Sequence, residues 1–207
     1  MRLINFVRTH IRAVIKIFAH WLNRVTNGKV SPDTVTWIGF VMHLPIAYCI
    51  VRGDYILAAV LLLIFGLFDT LDGELARLQS RASSRGMLLD AVTDRLKEVV
   101  LYTGIAVRLS DLHSSAVAWC VVACGASLSV SYVKAKGEAA FASQARGMNH
   151  HKLNYMFKDG LMSFEIRMVV LFIGLLTNQL AVAVIFIALS SLLTIIPRYT
   201  HIAKELG

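Results

Sequence analysis

The segment 55–77, YILAAVLLLIFGLFDTLDGELAR, is almost wholly apolar through Phe68 and then places Asp69 and Asp72 three residues apart. On a helix that spacing stacks both carboxylates on one face. The next apolar stretch opens at 86–100, GMLLDAVTDRLKEVV, with Asp90 and Asp94 four residues apart and again on one helical face. A short basic loop with Arg77, Arg81 and Arg85 joins the two. Two consecutive apolar helices thus each carry a pair of acids near one end, where a membrane helix meets water. Charges are costly within a bilayer and mark functional positions when they occur there.

Working outward, 57% of the 207 residues are hydrophobic and only 16% are charged, against about 25% in an average soluble domain. Six spans are expected, at 34–51, 55–76, 86–108, 114–135, 161–177 and 180–200. Several hold fewer continuous apolar residues than the ~20 a straight crossing needs. Charged stretches at 69–77, 90–98 and 165–167 supply the missing length, so those charges lie at or just inside the boundary. Before the first span, Arg8, Arg12, Lys16 and His20 fall on one face of a helix over 1–24, with Ile4, Val7, Ile11, Val14, Ile15, Phe18 and Leu22 opposite. That pattern predicts a helix lying in the membrane interface, and its interspersed charges break the apolar core a signal peptide requires. The turn Asn27-Gly28-Lys29-Val30-Ser31-Pro32-Asp33 then leads into a helix start. The expected architecture is an all-α integral membrane protein forming a single domain, 1–207. It comprises an amphipathic helix (1–24) and a six-helix bundle (34–200) carrying the acidic segment 69–94.

With both termini on one side, that side holds 19 of the 21 Lys and Arg residues, and only Arg52 and Arg108 lie opposite. The bias places both termini and the acids in the cytoplasm. In so apolar a chain the net charge of +8 speaks for anionic headgroups and phosphate-bearing substrates rather than nucleic acid. The three cysteines, Cys49, Cys120 and Cys124, sit in apolar runs and exclude a disulfide framework; the i, i+4 pair reads as helix packing.

Four clustered carboxylates repel one another, and either protonation or bound cations relieve the repulsion. Two divalent ions balance four negative charges, and hard oxygen ligands suit Mg²⁺ or Mn²⁺. Paired metals about 4 Å apart are a known device for in-line displacement at phosphorus. Gly73 and Ala76 leave room for a ligand on the same face, and Arg77 is placed to grip a phosphate. The competing possibility is boundary ion pairs of these acids with Arg77, Arg81, Arg85, Arg95 and Lys97.

Together, Asp69, Asp72, Gly73, Ala76, Arg77, Gly86, Asp90 and Asp94 form D-x-x-D-G-x-x-A-R-x8-G-x3-D-x3-D. This resembles the signature of the CDP-alcohol phosphotransferase family at all eight positions, and the expected helix layout extends the likeness over most of the chain. The resemblance implies that Asp69, Asp72, Asp90 and Asp94 bind two metal ions and that Asp94 is the general base. It implies a CDP-lipid site from Pro32, Asp33, Thr34, Val35, Gly73, Ala76, Arg77, Ser83 and Gly86. The implied reaction passes a phosphatidyl group from CDP-diacylglycerol to an alcohol and releases CMP. A homodimer is also implied.

For the acceptor, the stretch 132–138, YVKAKGE, resembles the same stretch in prokaryotic phosphatidylinositol-phosphate synthases, as do Pro32-Asp33 and Pro197-Arg198. Lys134, Lys136, Arg167 and Arg198 fall at cytoplasmic helix ends, where a phosphorylated alcohol such as inositol phosphate finds positive charge. Glycerol 3-phosphate, giving a phosphatidylglycerophosphate synthase, is the alternative acceptor. The segment 137–160, with His150, His151 and Lys152, reads as a solvated basic loop. From another class, a small ion-coupled transporter uses intramembrane acids, but places them near the bilayer midplane.

Overall fold

The computed structural model describes the backbone of residues 2–111, 114–144 and 162–206, and the side chains of 11–111, 115–141 and 162–206. Among the described residues the chain forms helices and no strand: α1 (Arg2–Val25), α2 (Pro32–Val41), α3 (His43–Arg52), α4 (Tyr55–Gly66), α5 (Phe68–Leu78), α6 (Ser84–Ser110), α7 (Ser114–Gln144), α8 (Phe164–Leu176) and α9 (Leu180–Leu206). The chain divides into two compact units, Met1–Leu101 and Tyr102–Gly207, with the boundary inside α6.

In the first unit the turn after α1 has Asn27 and Gly28 at positive φ, 50° and 70°. Ser31 then caps α2, its Oγ accepting from the Thr34 amide at 3.2 Å, with Pro32 in the first turn where its missing N–H costs nothing. The expected single helices 34–51 and 55–76 are each interrupted once. Pro45 has no amide to offer the carbonyl four residues earlier, and the ladder breaks at Met42, between α2 and α3. Gly66 precedes the second break, at Leu67. Both break residues keep right-handed helical dihedrals, so Pro32–Arg52 and Tyr55–Leu78 still run as apolar lengths of 21 and 24 residues. α5 packs chiefly on α1 and α2. Its Leu71 and Leu75 join Ile15, Ala19 and Val35 in a buried cluster. Gln79, just past its end, donates to Asn23 Oδ1 (2.8 Å) and to the Val30 carbonyl (2.9 Å).

In the second unit α9 packs on both α7 and α8. Gly174 of α8 sets the closeness of that packing: a Cβ there would lie 2.6 Å from Cβ of Ala183 on α9. The obstacle is attached directly to backbone and cannot swing aside. Gly174→Val should therefore destabilise the unit by about 1–3 kcal/mol, read as a lowered thermal midpoint of the purified protein in detergent. α7 continues to Gln144, so residues 137–144 are helical, whereas the sequence pattern suggested a loop from 137. His150, His151 and Lys152 lie outside the described residues.

Among the described residues, four stretches are long and apolar enough to cross a membrane: Pro32–Arg52, Tyr55–Leu78, Ser115–Phe141 and Leu180–Leu206. At 1.5 Å per residue even the shortest reaches roughly 30 Å, the thickness of a hydrocarbon core. Of the other two expected spans, α6 carries Asp90, Asp94, Arg95, Lys97 and Glu98 within it, and α8 is 13 residues long. Large apolar side chains such as Ile56, Leu63, Val121 and Leu193 are exposed, as on surfaces that face lipid. Within α1, Ile15 and Ala19 are buried while Val14, Ile17 and Trp21 stand exposed. The three cysteines are free thiols.

Candidate active site

The break at Leu67 makes Asp69 a first-turn residue of α5, where backbone amides and the helix dipole favour a carboxylate. Asp72 follows one turn later and is buried. Its Oδ2 accepts a hydrogen bond of 2.5 Å from Thr36 Oγ1, which ties α5 to α2. From α6, Asp90 completes a group: Asp69, Asp72 and Asp90 each offer an oxygen, all within 4.8 Å of one another. Asp90 Oδ1 is buried and has no hydrogen-bond partner among the described residues. A buried, unpartnered carboxylate oxygen beside two further carboxylates is what a hard divalent cation satisfies, so the residues fit such an ion.

Asp94, one turn along α6, is not a member of that group but lies within Coulombic reach of Asp69. Its Oδ1 lies 3.2 Å from Lys97 Nζ and its Oδ2 3.6 Å from Arg95. Lys97 is fully buried and also pairs with Asp69 of α5. Arg95 makes its shorter contact, 2.7 Å, to the buried Glu98. Boundary ion pairs, the competing possibility for the acids, thus exist for Asp69 and Asp94, while Arg77 pairs with Glu74 at 2.7 Å.

The residues expected to hold a CDP-linked lipid lie in this same unit. Asp33, in the first turn of α2, faces the start of α6: a Cβ on Gly86 would come 3.8 Å from Asp33 Oδ1 and 3.5 Å from Ser83 Oγ. Ser83 Oγ accepts from the Gly86 amide at 3.1 Å. Thr34 is exposed, whereas Pro32 and Val35 are buried and serve packing. The Arg77 guanidinium lies over Gly73, 3.7 Å from where a Cβ would stand, and Ala76 is half-buried beside it. Arg77 also lines a cavity of about 400 Å³ with Lys16, Ala19, His20, Glu74 and Leu78, between α1 and α5.

The residues expected at the acceptor lie in the second unit. Arg167 and Arg198 are buried. Arg198 Nη1 donates to the Val130 carbonyl at 3.0 Å, and both Arg167 and Glu138 lie within Coulombic reach of it. Lys134 is 3.7 Å from Glu138, on the next turn of α7. Lys136 is exposed, over the ring of Tyr132.

The family model for CDP-alcohol phosphatidyltransferase matches residues 29–196, a stretch that takes in all four acids. The chain belongs to this family. Its members are enzymes that transfer a phosphatidyl group from CDP-diacylglycerol to an alcohol, in the synthesis of membrane phospholipids. Phosphatidylinositol phosphate synthase of Cutibacterium acnes is 33% identical over 135 residues, 63% of this chain and 65% of that protein. The enzyme of the same name from Corynebacterium glutamicum is 31% identical over 187 residues, 86% of this chain and 80% of its own. The fold matches that of Mycobacterium tuberculosis phosphatidylinositol phosphate synthase at 24% identity. The match to its complex with manganese and citrate has a TM-score of 0.75 and covers 91% of this chain and 88% of that one. The match to its form with CDP-DAG bound has a TM-score of 0.74 and covers 92% and 94%.

Two residues make contacts in the site that the sequence pattern did not assign. Thr36 belongs to the helix-entry segment 31–36, which resembles the family's entry to its first helix, but nothing in the spacing points to its bond with Asp72. Lys97 was expected only as one of the cations in boundary ion pairs, and its burial against Asp69 and Asp94 was not.

Proposed function

We propose that the chain is a metal-dependent phosphatidylinositol phosphate synthase. It transfers a phosphatidyl group from CDP-diacylglycerol to inositol phosphate and releases CMP. The observation that carries this is the convergence of Asp69, Asp72 and Asp90, from two helices, to within 4.8 Å. The names of the relatives support the acceptor, as does the burial of two guanidinium groups, Arg167 and Arg198, in the second unit.

Asp69, Asp72, Asp90 and Asp94 hold the divalent ions, two of Mg²⁺ or Mn²⁺, which when bound stabilise the charge developing at phosphorus. Asp94 takes the proton of the acceptor hydroxyl as that oxygen attacks the β-phosphorus. Arg77 and Gly73, with Asp33, Thr34, Ser83 and Gly86, hold the nucleotide; Pro32, Val35 and Ala76 shape the walls behind it. Arg198 and Arg167 bind the acceptor's phosphate, with Lys134 and Lys136 drawing it in. Six spans cross the cytoplasmic membrane, α1 lies in its inner interface, both termini are cytoplasmic, and two copies pair as a homodimer. The chain, 1–207, serves as a single membrane domain.

The test is CMP release by the purified protein supplied with CDP-diacylglycerol, with and without Mg²⁺, and with inositol phosphate, glycerol 3-phosphate, inositol or serine. Release that requires both Mg²⁺ and inositol phosphate is the expected result. Release with glycerol 3-phosphate alone would reassign the acceptor, and failure to bind the liponucleotide at all would remove the transferase.

A further inference from the structure

Lys97 is unusual company for four acids expected to hold metal. Its side chain is fully buried, and its ammonium contacts Asp69 on α5 and, at 3.2 Å, Asp94 on its own helix. A buried ammonium is stable only when paired. Here its partners are two of the four carboxylates, so Lys97 cannot be withdrawn without leaving a charge stranded.

The consequence is that the acids are not equivalent toward cations. Asp69, Asp72 and Asp90 present oxygens close together, and Asp90 Oδ1 has no hydrogen-bond partner among the described residues. Lys97 takes one oxygen of Asp69 and one of Asp94, but the second oxygen of Asp94 also faces a cation, Arg95 at 3.6 Å, whereas Asp69 still contributes an oxygen to the group with Asp72 and Asp90. A cation approaching Asp94 meets a positive group at each of its two oxygens, Lys97 and Arg95, and like charges a few Å apart in a partly desolvated site repel strongly.

We propose that Lys97 is a positioning residue that holds the place of the second divalent ion. The first ion binds at Asp69, Asp72 and Asp90 with Lys97 in place, and a second gains Asp94 only as Lys97 gives it up. The two ions therefore bind with unequal affinity, and Lys97 keeps the acids compensated while the second is absent. This rests on the metal-dependent function proposed above.

The test counts Mn²⁺ by electron paramagnetic resonance on the purified full chain without substrate, and needs no turnover. The wild type should bind one ion tightly and a second more weakly by on the order of tenfold or more. Lys97→Met, which keeps the side chain's length without its charge, should bring the two affinities to within a few-fold by strengthening the second. Lys97→Gln is the second variant should Lys97→Met not fold. Two equally tight ions in the wild type would overturn the role of Lys97 whatever the variants do, as would a folded variant that keeps the wild-type split. No Mn²⁺ binding by the wild type would remove the metal function itself, a different failure.

Discussion

Asp94→Asn is expected to lower CMP release by roughly a thousandfold, within the range seen when a general base is removed. Asparagine matches aspartate in size, and its amide oxygen can still accept from Lys97, 3.2 Å away in the native chain. Packing on α6 should therefore hold, while the proton acceptor and the negative charge offered to the second ion are both lost. Asp69, Asp72 and Asp90 remain as a group, so the variant should keep one tight Mn²⁺. Initial rates with CDP-diacylglycerol and saturating acceptor, set beside circular dichroism and an Mn²⁺ titration of the same preparation, separate lost chemistry from lost structure. Activity within a few-fold of wild type would take the base away from Asp94.

Arg198→Ala should raise the KM for inositol phosphate by about a hundredfold, with a smaller effect on kcat. Truncating one side of a buried charged contact costs about 2–5 kcal/mol, and a loss felt mainly in KM marks binding shared by ground and transition states. The expectation comes from an unbalanced local charge. Arg198 and Arg167 are both buried and within Coulombic reach of each other. Arg198 Nη1 spends one donor on the Val130 carbonyl, and its buried Nε has no acceptor among the described residues. Arg167 sets like charge beside Arg198, Glu138 lies within its Coulombic reach, and the buried Nε leaves a donor for a phosphate to meet. Lys136→Ala is the contrast: that lysine is exposed over Tyr132, and its removal should change KM only a few-fold. Equal effects of the two substitutions would place the acceptor's phosphate elsewhere.

What the sequence made legible follows from local rules. The acids stood out because a carboxylate inside an apolar run is costly enough to need a role, and helical spacing then says which of them share a face. Ser31 was legible because a capping hydroxyl followed by proline is a short-range signal. The breaks at Met42 and Leu67 were less so, since a proline or glycine in an apolar helix permits a break without requiring one. The continuation of α7 through Gly137 depends on tertiary packing: a Cβ at Gly137 would come 2.9 Å from Ile202 on α9, so the glycine serves close helix approach there rather than termination. Lys97 was read as a boundary cation because spacing says which face a residue occupies and not how deeply that face is buried. The pairing of Asp72 with Thr36, 36 positions away, lies beyond any periodicity.

The break at Leu67 also bears on how such a chain can diverge. In an unbroken helix, each residue inserted among the apolar positions turns everything after it by about 100°. Here the hydrogen-bond ladder is interrupted at Leu67, although its dihedrals stay helical, and α5, which carries Asp69 and Asp72, packs chiefly on α1 and α2 rather than on the apolar helix before it. The length of α4 can then follow the thickness of the host bilayer, while the aim of the acids is set by the helix against which α5 rests.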